Sequence, residues 1–101
     1  MKIDPSEIIA KNENLAQITR NFMKAIEDFN ESAGKEITQV RAAYRSNGLE
    51  GETADAIAAS IEEQVKDIEK NINELNRLHA DLDGKAVLYD KMIALMKKVA
   101  E

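Results

Sequence analysis

The chain contains no cysteine, one proline and four glycines in 101 residues. Without cysteine, disulfides and thiolate metal sites are both excluded. So little proline and glycine leaves little material for loops. Tryptophan is absent, and the only aromatic side chains are Phe22, Phe29, Tyr44 and Tyr89. Packing therefore falls to isoleucine, leucine, alanine and methionine, which suits helix against helix better than a globular centre. Long continuous apolar runs are missing as well, so no stretch is built to span a bilayer. The start, Met1-Lys2-Ile3-Asp4-Pro5-Ser6-Glu7, turns acidic at once and is unlike a cleavable signal peptide. An excess of positive charge is lacking too. There are 19 acidic side chains against 14 basic ones, for a net charge of −5. Nucleic acid calls for a basic footprint and anionic lipid for a polybasic segment, so both are poor partners for this chain. The length fits one domain, residues 1–101.

What is present reads as helix. Asp4 is a capping residue, Pro5 suits the first helical position, and Glu7 stands where a capping box returns its hydrogen bond. Apolar residues then recur at helical spacing: Ile8, Leu15, Ile18, Phe22, Ile26, Phe29, Ala33, Ile37, Val40 and Tyr44. Gly34 interrupts the composition without shifting the phase, and reads as a soft spot costing roughly 1 kcal/mol against alanine. The stop signal is Arg45-Ser46-Asn47-Gly48, after which Leu49-Glu50-Gly51 leads into Glu52-Thr53 and a second helical pattern.

The second half is the more regular. Residues 54, 61, 68, 75, 82, 89 and 96 are Ala, Ile, Ile, Leu, Leu, Tyr and Met. Residues 58, 65, 72, 79, 86, 93 and 100 are Ala, Val, Ile, His, Ala, Ile and Ala. The two sets interleave at four-three spacing, the seam of a coiled coil. The expected fold is an all-α, antiparallel two-helix hairpin with helices over about 5–46 and 52–99. Asp83-Gly84 marks either a kink in the second helix or the start of a third, short one. Each helix would be on the order of 60 Å long.

A hairpin has one seam, yet apolar residues also stand beside it: Ile57, Leu78, Leu88, Met92, Leu95 and Val99. Cover for them implies association, as a homodimer or with a heterologous helical partner, completing a four-helix bundle. The candidate partner interface is Ile57, Ile68, Leu75, Leu78, Tyr89, Met92 and Met96. The Met92, Leu95, Met96 and Val99 cluster reads either as bundle core or as an adaptable recognition or export surface.

Residues for chemistry are few. His79 is the single histidine and falls in the seam, where it is either a partly buried bundle residue or a pH-sensitive partner of Asp83. Glu62, Glu63, Asp67 and Glu69 alternate with Lys66 and Lys70 on what reads as the solvated outer face. No Glu-x-x-His pair, phosphate-binding loop or nucleophile with its base is visible, so no enzyme activity, cofactor or metal is expected.

The central residues Leu49-Glu50-Gly51-Glu52-Thr53-Ala54-Asp55-Ala56 resemble the Trp-x-Gly turn of the small helical-hairpin substrates of type VII secretion, the early-secreted-antigen-like proteins. Chain length, mid-chain turn, acidic charge and lack of cysteine agree with that family in layout, while the motif itself covers about eight residues. Leucine stands in place of tryptophan. In this the chain is similar to the small helical proteins that accompany Leu-x-Gly toxins in Gram-positive bacteria. The family's export signal, an aromatic followed four positions later by an acid, has no counterpart, since Tyr89 is followed by Ile93. The resemblance implies Leu49 and Gly51 as the turn motif. It also implies a targeting role: binding a toxin's N-terminal helical domain, with or without a second small helical protein, and accompanying it to the secretion apparatus. That places the chain in the cytoplasm, or exported without a cleavable signal peptide. A self-associating secreted substrate and a coiled-coil adaptor unrelated to secretion are the competing expectations.

Overall fold

Asp4 opens the first helix as its sequence suggests. The Asp4 side chain accepts a hydrogen bond from the Ser6 N–H at 3.0 Å, and its carbonyl accepts one from the Ile8 N–H at 3.2 Å. Helix α1 then runs over Pro5–Ser46, and helix α2 over Glu52–Ala100. The computed structural model describes residues 3–46 and 51–101, with the backbone alone at 44–46 and 52. The two helices form an all-α hairpin, and no strand occurs among the described residues. Gly51 carries φ of +100° and its carbonyl accepts the first bond of α2, from the Asp55 N–H at 2.9 Å. A side chain at such a φ is strained, which is why glycine stands there. Leu49, the other half of the expected turn motif, lies outside the described residues.

Helix α2 continues through Gly84 without a break, so there is no third helix after Asp83. Its four-three pattern governs burial. Every described residue of α2 that is buried or half-buried belongs to the two interleaved sets, with Ala54, Val65 and Ala86 at 4, 3 and 2 % exposure. Within the sets Ile68 and Ala100 are exposed. In heptad letters, residues 58, 65, 72 and onward are a, and 54, 61, 68 and onward are d.

Helix α1 corrects the sequence reading. Of the described side chains in the apolar stripe expected there, only Ile26, Ala33 and Ile37 are buried, and Ile8 is half-buried; the Tyr44 side chain lies outside the described residues. Leu15, Ile18, Phe22, Phe29 and Val40 are 43, 55, 57, 55 and 44 % exposed. The inward face is instead Ile9, Asn12, Ala16, Thr19, Met23, Ile26, Asn30, Ala33 and Ile37. These too follow four-three spacing, but their side chains are smaller and partly polar. The large apolar groups stand one row away, at the g positions 15, 22 and 29 and the adjoining c position 18.

The chain divides into two compact units. The first joins Met1–Ile26 with Arg77–Glu101, and the second is Glu27–Asn76. In the first unit the core includes Ala16, Thr19, Ile26 and Ala86; in the second it includes Ala33, Ile37, Ala54 and Val65. Alanine recurs in both, and so small a side chain lets two helix backbones approach closely.

Candidate interaction surface

Each helix has two rows flanking its seam, e on one side and g on the other. The cross-helix polar contacts fall on the e rows. In the second unit, Arg41 at an e position donates through Nε and Nη2 to the two oxygens of Glu62, at 3.1 and 3.0 Å. Its Nη2 also reaches Glu69 at 3.3 Å. Glu62 and Glu69 are e positions of α2, one heptad apart. They therefore lie on the edge of the seam, which corrects their placement on the outer face. Asn30 Nδ2 donates to Asn76 Oδ1 at 2.7 Å, and Asn76 is again an e residue. As the α1 partner falls from 41 to 30, the α2 partner rises from 62 and 69 to 76, so the helices run antiparallel. In the first unit, Arg20 donates to Asp90, both at e positions.

These pairs are half exposed, and exposed ion pairs contribute about 0–1 kcal/mol each. Their value lies in direction: complementary e residues set orientation and register. The hydrogen bond to Glu62 raises the Arg41 guanidinium above its ordinary value, with burial opposing and the Glu62 and Glu69 charges adding to the rise. A base with a raised pKa stabilises the fold below its unfolded pKa and ceases to do so only as pH climbs through the folded one. On the arginine side, that loss falls only in strongly alkaline solution. Asn30 adds specificity of another kind. It sits at an a position, its own Oδ1 is buried without a hydrogen-bond partner among the described residues, and polar groups in a seam fix register at a cost in stability.

Because e meets e, the g rows of both helices share the opposite edge. In the first unit this edge is largely apolar and open to solvent. Helix α1 presents Leu15, Ile18 and Phe22 there. Helix α2 presents Leu78, Met92 and Val99 at g, with Leu88 and Leu95 at c, at exposures from 40 to 62 %. Lys85 shares that g row and Asp81 the c row, both exposed. In the second unit Ile57 and Phe29 are exposed at g positions, but Glu36, Gln64 and Asn71 share that row. Two shallow hollows of about 210 and 120 Å³ open there, sharing Glu36 and Ile68 among their lining residues. Ile68 is thus a seam residue that the facing helix leaves 39 % exposed.

The residues expected at a partner interface therefore separate. Leu75, Tyr89 and Met96 are half-buried in the seam, whereas Ile57, Leu78 and Met92 stand 44, 40 and 40 % exposed on the g edge. Leu15, Ile18 and Phe22 belong to this edge in the first unit and Phe29 to it in the second, whereas their spacing alone reads as the α1 stripe. The signal that locates them is the α1 seam itself: once Ala16, Thr19, Met23 and Ile26 are read as a and d, the larger side chains must flank them. His79 is a half-buried seam residue.

The exposed area is large for the mass. The chain presents 7852 Å². A monomer of 11.3 kDa folded on its own core exposes about 5,700 Å², so roughly 2,000 Å² lies beyond that expectation. No large side chain among the described residues is fully buried. No group of three metal-ligating side chains is gathered among them, and no helix is long and apolar enough to cross a membrane.

Fold and surface together define a class: an antiparallel α-helical hairpin with an ion-paired edge and an uncovered apolar one. In comparisons with known proteins, no family model, no curated protein and no solved structure matches the chain.

Proposed function

We propose that this hairpin is a binding module that completes a helical bundle with another protein, acting as a targeting partner for a Leu-x-Gly toxin in type VII secretion. The observation that carries the binding role is the apolar g edge of the first unit, which the chain's own seam leaves uncovered. Contiguous exposed apolar surface of that kind marks an interaction site in a soluble chain. The secretion role draws on the resemblance at Leu49-Glu50-Gly51 and on the left-handed Gly51 that begins α2. In this reading the partner is the toxin's N-terminal helical domain, and a bundle of four helices forms on association. In this reading the partner also carries the export signal, since the family's aromatic-and-acid spacing finds Ile93 after Tyr89.

The test is co-expression with a Leu-x-Gly toxin from the same genome, followed by affinity purification, and secretion of that toxin from a strain lacking this gene. Stable co-purification and lost secretion are the expected results. Failure of the toxin to co-purify, or unchanged secretion, sinks the targeting role. A self-associating secreted substrate is the second reading, favoured by the same uncovered area. Sedimentation of the isolated chain as a dimer, together with its appearance in the culture medium, would support it instead.

A further inference from the structure

The edge itself carries Asp81 and Lys85 among its apolar residues, and beyond it on the α2 side lies a row of cations. Around α2 the c row is followed by the f row, which in the first unit holds Arg77, Gly84, Lys91 and Lys98. Arg77, Lys91 and Lys98 are exposed, and none of the three is ion-paired among the described residues. The matching f row on α1 holds Glu7, Asn14 and Asn21, with one carboxylate. A chain of net charge −5 thus keeps a row of unengaged cations beside its most apolar strip.

We infer that this strip, centred on Ile18, Phe22, Leu88, Met92, Leu95 and Val99, docks an amphipathic helix of a different protein whose apolar stripe is bordered by carboxylates. This rests on the binding reading above and makes it specific. It places the contact in the unit that holds the two chain ends, not the unit that holds the turn, and gives the partner helix a charge sign. Charge favours such an occupant over a second copy. Another copy meets the basic border either with the same cations or with an α1 row carrying only Glu7, so the cations of that border stay unmatched. Complementary borders add on-rate and orientation to whatever the apolar strip supplies.

The experiment uses the full chain and two synthetic helical peptides of four heptads. Both carry the same apolar stripe; one is flanked by glutamate and the other by lysine. Fluorescence anisotropy at low and at physiological salt reads binding, and sedimentation reads the oligomeric state of the chain alone. The acid-flanked peptide is expected to bind at least tenfold tighter, with the advantage shrinking as salt rises. Reversing the border with K91E and K98E should invert the preference. Leu95→Lys should abolish binding of both peptides while helicity and thermal midpoint stay as in the parent, because Leu95 is 52 % exposed. Equal binding of the two peptides, or of neither, overturns the proposal. So does a chain that sediments as a dimer and becomes monomeric with Leu95→Lys, since a second copy then occupies the strip. If a Leu-x-Gly toxin from the same genome co-purifies undiminished with the Leu95→Lys chain, the docking edge is misplaced while the targeting function stands. If the peptide preference holds and no toxin co-purifies, the edge stands and the targeting function falls.

Discussion

Each unit has a heptad seam of its own, and the two differ on its flanks. The second unit, Glu27–Asn76, closes its e edge with Arg41 between Glu62 and Glu69 and with Asn30 against Asn76. Its g edge is interrupted by Glu36, Gln64 and Asn71. The first unit has the Arg20–Asp90 pair on its e edge and, on the other, a solvent-open strip that is apolar apart from Lys85 in its g row. The same heptad thus serves two purposes. A seam of small residues holds helix to helix everywhere, and the neighbouring rows decide which stretch remains available to others.

The comparison breaks most readily at the seam, which should be equally indispensable in both units. Ile26→Ala in the first and Ile37→Ala in the second remove side chains 4 and 8 % exposed. Each should cost about 2–5 kcal/mol, read by chemical denaturation. Phe22→Ala, one row away and 57 % exposed, should stay within about 0.5 kcal/mol. A Phe22 variant as damaged as Ile26→Ala would mean that the strip is core and not surface.

Next in size is the start of α2. Gly51→Ala places a side chain at φ +100°, where space is open but the backbone is strained. A loss of about 1–2 kcal/mol is expected, and an unchanged melting curve would show that this turn relaxes freely. Gly84→Ala should act in the opposite direction. The site is exposed, mid-helix and has nothing within 4 Å of an added Cβ, so a gain of roughly 1 kcal/mol follows from helix propensity alone. Smallest is the ion-paired edge. Arg41→Gln and Arg20→Gln should each cost under about 1 kcal/mol, with the difference from the parent fading in high salt. A salt-independent loss of several kcal/mol at Arg41 would make the two edges of the second unit more alike than described.

Helix bounds were legible because the signals that set them are local: Asp4-Pro5 at one end, and the glycines and asparagine near residue 50 in the middle. The α2 seam was legible because its a and d residues are apolar almost without exception. Helix α1 misled for a physical reason. Its seam includes Asn12, Thr19 and Asn30, while its largest hydrophobes sit on the flank, so a reading weighted by side-chain size chose the wrong row. That error concealed half of the candidate docking strip. The other half, Leu78, Leu88, Met92, Leu95 and Val99, stood out in the sequence because the α2 seam was already assigned. The basic border is silent in the sequence, since a row of cations acquires meaning only beside a located strip.

The separation in chain between paired residues carries a kinetic consequence. Arg41 meets Glu62 across 21 positions, whereas Arg20 meets Asp90 across 70. Joining the more distant pair from an open chain costs about 1 kcal/mol more in closure entropy, a difference that vanishes if the nearer pairs form first. The hairpin should therefore zip from the turn toward the two chain ends and unzip in the reverse order. Amide exchange should then be fastest in the first unit, and uniform protection along both helices would argue against the zipper. The stretch with the uncovered strip is also the last to close. A helix docking there would act as a clasp, and each binding event would be registered as a slower opening of the chain ends.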